Sequence, residues 1–403
     1  MKCKRKNWLS FLPRLRDLFS FFWKKVGDSS KFGTLIYMIT RIWLTLFSAY
    51  IFLNGLFSSP SEVNGLYYDV AALLTGWRGA MFGMWQRWDT IHYQAIAQWG
   101  YYRPILTAFF PGYPLLSHGV ASLLHISDLA GLLLVSNIFC WLSFVLLHRI
   151  VRSLYDQPTA NAATIFLAIF PTSFFLFAGY PQSMVLFCIL FCYWEAKQGK
   201  WLWVALSAFA AGITHSTVVP LCIMLSWQVF EALRDTHFSL HWTIALIPFL
   251  PLSGIALFLG WRTSQGFIPY VSLQKHFWNR VFWMPWNPFI LGLNELVTSM
   301  NFSKFMNYLI CLLLIIVVAW SIIKLPTQLK IYSSALFLFL FSTGSTTDPL
   351  KSIIRFALLM FPVFIFLAVI TKHNKKLRLG LVGACFLFSC FLSLSFLAWQ
   401  WVG

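Results

Sequence analysis

Charge is scarce in this chain, and acidic charge most of all. Only 10% of its 403 residues are charged and 12 are Asp or Glu, while 59% are hydrophobic and 19% aromatic. A soluble chain of that length would lack the polar surface to cover its core, so a water-soluble globular protein is excluded. Cysteine offers no framework. Cys140, Cys188, Cys192, Cys222, Cys311, Cys385 and Cys390 fall in apolar runs and Cys3 in a basic tail, without a disulfide pattern or a metal-binding CxxC. Cys188 and Cys192, one helical turn apart, read as buried small hydrophobes. Paired carboxylates of the DxD kind are missing, and His92, His118 and His125 lack a zinc spacing, so no metal or cofactor is expected.

What the chain has is apolar length. Runs of about 20 residues, enough for a spanning helix, recur from Thr34 to Trp399 and leave no room for a soluble domain. The expectation is an all-α polytopic membrane protein. Residues 1–33 form a basic segment whose patches "WLSFLP" and "LFSFFW" suit an interfacial helix, with no cleaved signal peptide expected, and residues 34–403 form a single membrane domain. The net charge of +18 sits beside the spans, which points to orientation and not to nucleic acid.

About eleven crossings are expected, near 34–57, 129–150, 161–179, 183–197, 201–219, 220–233, 239–260, 305–323, 331–344, 355–371 and 378–400. With the N-terminus cytoplasmic and the C-terminus outside, 20 Lys and Arg lie inside against 9 outside, Arg41 falling within the first span. Two long outer loops result, 58–128 and 261–304. Leu106–Ile126 is not counted as a crossing, because counting it would invert that charge balance; broken by Pro111 and Pro114, it reads as a re-entrant or interfacial element. "NFS" at Asn301 is a sequon in the second outer loop.

Within the first loop, "RWDTIHYQAIAQWGYY" (87–102) has a helical pattern, with Trp88, Ile91, Ala95 and Trp99 on one side. Such aromatics favour the headgroup level, which places the segment along the outer membrane surface. Asp89 and His92, three residues apart, project toward the same space. A carboxylate held at a lipid boundary is moved toward the range where it acts as a base; alternatively Asp89 is a helix cap or the partner of Arg87.

The string "RWD..HY..IA..GY" followed by "AFFPGYPLL" (108–116) resembles the PIG-V family, the second mannosyltransferase of glycosylphosphatidylinositol assembly and its bacterial relatives, within the GT-C class. "FPTSFFLFAGYPQSMVLF" (170–187) and "KSIIRFALLMFPVFIFLA" (351–368) resemble later segments of that family in the same order. The resemblance implies a GT-C-type helical bundle that takes mannose from a polyprenyl-phosphate donor on the outer side and passes it, with inversion, to a lipid or glycan hydroxyl. By that analogy Asp89 is the general base. Trp88, His92, Tyr93, Tyr113, Tyr180, Gln182, His215 and Arg355 are the expected substrate-binding residues.

The residues suit this chemistry on their own terms. Phosphate leaves as a stable anion, so one carboxylate suffices where a glycosidase needs two. Of the outer acids Glu62, Asp69, Asp89, Asp128, Glu295 and Asp348, Asp89 has the aromatic setting that suits a sugar. The departing phosphate needs cations. Arg355 is the first choice, unless it is only an interfacial anchor, and Lys351, Arg262, Lys275 and Arg280 are weaker ones. His92 assists Asp89, binds an acceptor hydroxyl or is structural. Gln182 stands where the family usually carries Glu and His215 where Arg is common, which suggests a neutral hydrogen-bonded pair in place of an ion pair, altered acceptor choice, or lost activity.

A membrane transporter and an inactive glycosyltransferase-like partner subunit are the alternatives. Transporters place ionisable groups near the midplane in repeated halves, and Arg41 is the one clear candidate there. The chain's compact length favours a bacterial cell membrane over the endoplasmic reticulum.

Overall fold

A computed structural model describes residues 27–57, 67, 70–235, 242–298, 302–350 and 352–402. The expected interfacial helix of the basic tail, Glu62, Asp69, the Asn301 sequon and Lys351 lie outside the described residues. The helices are α1 (Asp28–Leu53), α2 (Gly76–Met81), α3 (Asp89–Trp99), α4 (Gly112–Leu124), α5 (Asp128–Leu154) and α6 (Gln157–Ile169). They continue with α7 (Gln182–Lys197), α8 (Trp201–Thr214), α9 (Val219–Asp235), α10 (Leu250–Ser264), α11 (Tyr270–Trp278) and α12 (Asn287–Thr298). The last are α13 (Phe302–Lys324), α14 (Thr327–Phe341), α15 (Ile353–Phe356), α16 (Pro362–Ile370) and α17 (Lys375–Leu397). Two three-residue strands, β1 (Arg280–Phe282) and β2 (Thr343–Ser345), pair antiparallel with Arg280 opposite Ser345.

Helix boundaries follow local chemistry. Ser127 caps α5 by accepting the Ala130 N–H, Asp156 caps α6 through Thr159, and Asn374 caps α17 through Leu377. Prolines at the starts of α6, α10 and α16 begin helices where their missing N–H costs nothing. Gly212 and Gly254 let α8 and α10 touch backbone to backbone: a Cβ on Gly212 would lie 2.1 Å from the Pro251 carbonyl oxygen. Small residues at such crossings give the close packing that holds helices together in lipid.

Helix occupies part of all eleven expected crossings. Among the described residues, six helical stretches are long and apolar enough to cross a membrane: 28–53, 128–154, 216–235, 242–264, 304–324 and 375–397. A seventh counts if 353–359 and 362–370, bent by 81°, form one broken span. The chain is an integral membrane protein. Helices α6, α7, α8 and α14, with 13, 16, 14 and 15 residues, are shorter than the about 20 residues of a straight crossing. They pack among the longer ones, α7 between α5 and α8, and α6 against α5 and α16. On α1, Leu35, Met38, Ile39, Ile42, Leu46 and Tyr50 are exposed, as a lipid-facing stripe requires, while Arg41 turns inward to lie 5.8 Å from the Trp85 ring.

The first loop departs from its expected placement. Helix α3 does not lie on a surface: Thr90, Ile91, Tyr93, Gln94, Ala95, Ile96 and Ala97 are buried, α3 packs on α4 and α5, and Trp99 alone of the expected aromatic stripe is exposed. Trp88 precedes the helix and is not part of its face. The polar side of α3 is buried as well, because it finds partners in the protein: Gln94 Oε1 accepts from Gln86 Nε2 at 2.8 Å. In the expected re-entrant element, Phe109–Pro111 forms the break, but Pro114 sits in the first turn of α4, where proline is tolerated.

Candidate active site

The site forms where three segments distant in sequence meet: the start of α3, the non-helical stretch 170–181 before α7, and α15. The chain reaches Asp89 through Trp88, whose φ of 50° is held by two aromatic neighbours, Trp399 at 5.6 Å and Trp401 at 5.3 Å between ring centroids. Asp89 opens α3, where a carboxylate is favoured by the helix dipole. Its backbone N–H donates to the Tyr180 hydroxyl (3.2 Å). Tyr180 can come that close because Gly179 rests on Thr90; a Cβ there would lie 2.5 Å from the Thr90 methyl.

Arg355 donates from Nη1 to Asp89 Oδ2 at 2.6 Å, and the two side chains are 8% and 17% exposed. Four rings surround the guanidinium: Phe356 (4.9 Å), Tyr180 (5.6 Å), Trp401 (5.6 Å) and Phe175 (5.7 Å). Low polarity around the pair strengthens the attraction that water would screen. Arg87 is not the partner of Asp89. It is buried, donates from Nε to the Leu397 carbonyl (3.0 Å) and from Nη1 to that of Gly83 (2.8 Å), and lies over Trp399.

Asp89 and Arg355 open onto a cavity of about 330 Å³ whose polar lining residues also include Tyr93, Gln182, His215 and Arg280. Among the cavity-lining residues there is one carboxylate and there are two guanidiniums, a balance suited to an anion. Arg280 is carried in by β1, and burial together with the nearby Arg355 pushes its pKa down from the usual arginine value. Gln182 is 2% exposed and its Oε1 has no hydrogen-bond partner. Much of the remaining lining is apolar, including Leu252, Ile255 and Leu259 of α10 and Phe339 of α14.

Of the expected site residues, Asp89, Tyr93, Gln182, His215 and Arg355 line this cavity. Trp88, His92, Tyr113 and Tyr180 stand behind it. Trp88 and Tyr180 hold Asp89, as described. His92 stacks on Phe109 at 4.6 Å, and burial pushes its pKa down to about 4 against the pull of Asp89. The Tyr113 hydroxyl joins the Leu132 carbonyl (2.9 Å) and Ser136 (2.7 Å), a structural role.

The expected Gln182–His215 hydrogen bond is absent among the described residues. His215 Nδ1 instead accepts the Thr217 N–H (3.1 Å), capping the turn into α9. Among the weaker cations, Arg262 is pinned by Thr107 and the Ile268 carbonyl, and Lys275 is exposed. Asp128 pairs with His118 and Glu295 with Lys304. Among the described residues, no three His, Cys, Asp or Glu side chains gather to hold a metal ion.

Sequence reasoning undervalued Arg280 and missed Trp401. Arg280 lies in an aromatic loop where any cation looks like ordinary surface charge. Trp401 looks like an interfacial belt residue at the end of a span. The one signal available was the spacing of Trp399 and Trp401 in "WQW" on the expected outer side.

No family model matches the chain. It is 30% identical over 162 residues to GPI alpha-1,6-mannosyltransferase 2 of Rattus norvegicus, and 29% identical over 159 residues to that of Homo sapiens. Each match covers 37% of this chain and 32% of the relative, so the matched part spans about a third of the relatives' length. Among solved structures, the apo form of the Archaeoglobus fulgidus oligosaccharyltransferase aligns with 91% of this chain and 56% of its own at a TM-score of 0.41 and 12% identity. A second structure of that protein, tethered to an acceptor peptide, aligns with 91% and 55% at 0.42 and 11%. The sequence similarity is to the family whose motifs the chain resembles: over 37% of its length this chain is similar to the GPI alpha-1,6-mannosyltransferase 2 proteins.

Proposed function

We propose that this chain is a membrane glycosyltransferase of the GT-C class that moves mannose from a polyprenyl-phosphate-mannose donor to a lipid or glycan hydroxyl on the extracytoplasmic side, inverting the anomeric carbon. The observation that carries the reading is the Asp89–Arg355 pair in the wall of a cavity that is also lined by a second guanidinium and by many apolar side chains. A lipid-linked sugar phosphate has parts to match: a chain for the apolar side chains, an anion for the arginines and a sugar for the carboxylate.

The geometry suggests the steps. Before substrate arrives, Arg355 neutralises Asp89. Donor phosphate, held between Arg280 and Arg355, competes for the Arg355 guanidinium and leaves Asp89 as a free base. Asp89 then takes the proton of the acceptor hydroxyl as that oxygen bonds to C1 of the sugar. The C1–O bond to phosphate breaks, and its electron pair leaves with the phosphate, whose growing charge the two guanidiniums stabilise. No general acid is needed and no metal ion is required by the scheme. Extracytoplasmic placement is supported by the basic loops: Lys372 pairs with Asp156 where α16 ends and α6 begins, and Arg152 with Asp28 where α1 begins.

The test is transfer of radiolabelled mannose from polyprenyl-phosphate-mannose to total membrane lipids and glycans by the purified protein. Labelled product is expected. Donor that binds without being turned over would favour an inactive relative, and donor that neither binds nor reacts would reject the reading.

A further inference from the structure

The segment after α17 turns back on the site instead of leading away from it. Trp399 has a φ of 63°, and this reversal brings both it and Trp401 against Trp88, the residue before Asp89. The Trp401 ring meets Trp88 nearly edge-on, with an interplanar angle of 78°, and lies 5.6 Å from the Arg355 guanidinium carbon. Trp401 is also part of the cavity wall, together with Asp89 and Arg355. One indole therefore lies against the residue that orients the carboxylate and the cation paired with that carboxylate, and forms part of the cavity wall. Trp399 does not line the cavity; it holds Arg87 and Trp88 from behind.

Trp88 and Trp399 are explained by packing, but a half-buried indole in a cavity wall beside a carboxylate and a guanidinium is not. Its surface is apolar and electron-rich, and the groups beside it accept and donate strong hydrogen bonds. A pyranose ring needs that combination: C–H groups pack on an aromatic surface while hydroxyls reach neighbouring polar atoms. The Arg355 contact gives the ring a second partner that fixes its orientation before a sugar arrives.

We propose that Trp401 is a substrate-binding residue, the platform on which the donor's sugar ring rests beside Asp89. This rests on the donor reading above and adds to it the residue that separates sugar-bearing from sugar-free lipid phosphate. Phosphate is held by the arginines, and the sugar by the tail.

The test compares binding of polyprenyl-phosphate-mannose with binding of polyprenyl phosphate, using full-length wild type, Trp401→Phe, Trp401→Ala and Trp399→Ala. Trp401→Ala is expected to lose about tenfold in affinity for the sugar-bearing lipid, the scale of one aromatic contact, and little for the sugar-free one. Trp401→Phe should recover most of the loss. Equal losses for both lipids would mean that Trp401 only positions Arg355, and no loss for either would remove it from the site; both outcomes overturn the proposal while leaving the donor reading intact. Trp399→Ala reports general loosening of the tail, and the same sugar-selective loss in that variant would also overturn the assignment. Wild type that binds neither lipid would sink the donor reading itself, and this inference with it.

Discussion

Asp89 and Arg355 are 266 residues apart in the chain and 2.6 Å apart in the folded protein. Each opens a helix or lies in a short one, each is mostly buried, and they face a cavity that holds no second carboxylate among its lining residues. The pair is at once a structural clamp between α3 and α15 and the chemical centre of the proposed reaction.

Removing one partner should cost more than removing both. Arg355→Met leaves a largely buried carboxylate unpaired, and the expected destabilisation is about 3 kcal/mol or more. Asp89→Asn combined with Arg355→Met should recover most of it, since neutral groups need no counterion. Thermal unfolding of the purified single and double variants measures this. A double variant no more stable than Arg355→Met would show that the pair does not act as a clamp.

Gln182 offers a different signature. Its Oε1 makes no hydrogen bond in the protein although the residue is 2% exposed. An apolar side chain of similar size should therefore be tolerated by the fold, because no bond is lost and a buried unsatisfied acceptor is removed. Gln182→Leu is expected to keep or raise the unfolding temperature while raising KM several-fold, as a substrate hydroxyl loses its acceptor. A clear fall in stability would place Gln182 in the scaffold.

How much of this was readable beforehand differs from residue to residue. Asp89 stood out because the string around it resembles the PIG-V family and because it is the outer acid with an aromatic setting, and Arg355 because it falls in a later segment that resembles the same family. Helix positions were legible from apolar runs, since lipid demands them. The burial of α3 was not, because its one-sided pattern reads as interfacial, while polar residues on the other side, such as Gln94, are satisfied by partners outside the helix. The Gln182–His215 pairing failed because His215 had a closer local partner, the Thr217 N–H two residues on. Arg280 and Trp401 depend on the β1–β2 pairing and on the reversal at Trp399, contacts that no local pattern announces.

His92 should shape stability in acid. Burial lowers its pKa from 6.5 to about 4. The unfolded chain therefore takes up this proton first as pH falls, and stability declines between pH 6.5 and about 4 while staying flat above. His92→Gln should remove that part of the decline. Unfolding temperatures of both proteins from pH 4 to 8 make the comparison, and superimposable profiles would contradict a buried, neutral His92.

The most direct test of the central claim is Asp89→Asn, assayed in parallel for mannose transfer and for binding of polyprenyl-phosphate-mannose. The account predicts transfer reduced at least about 100-fold, the usual loss of a general base, with donor binding kept or tightened because Arg355 no longer shares itself with a carboxylate. Transfer near the wild-type rate would contradict it, since the only cavity-lining carboxylate among the described residues would then not be the base.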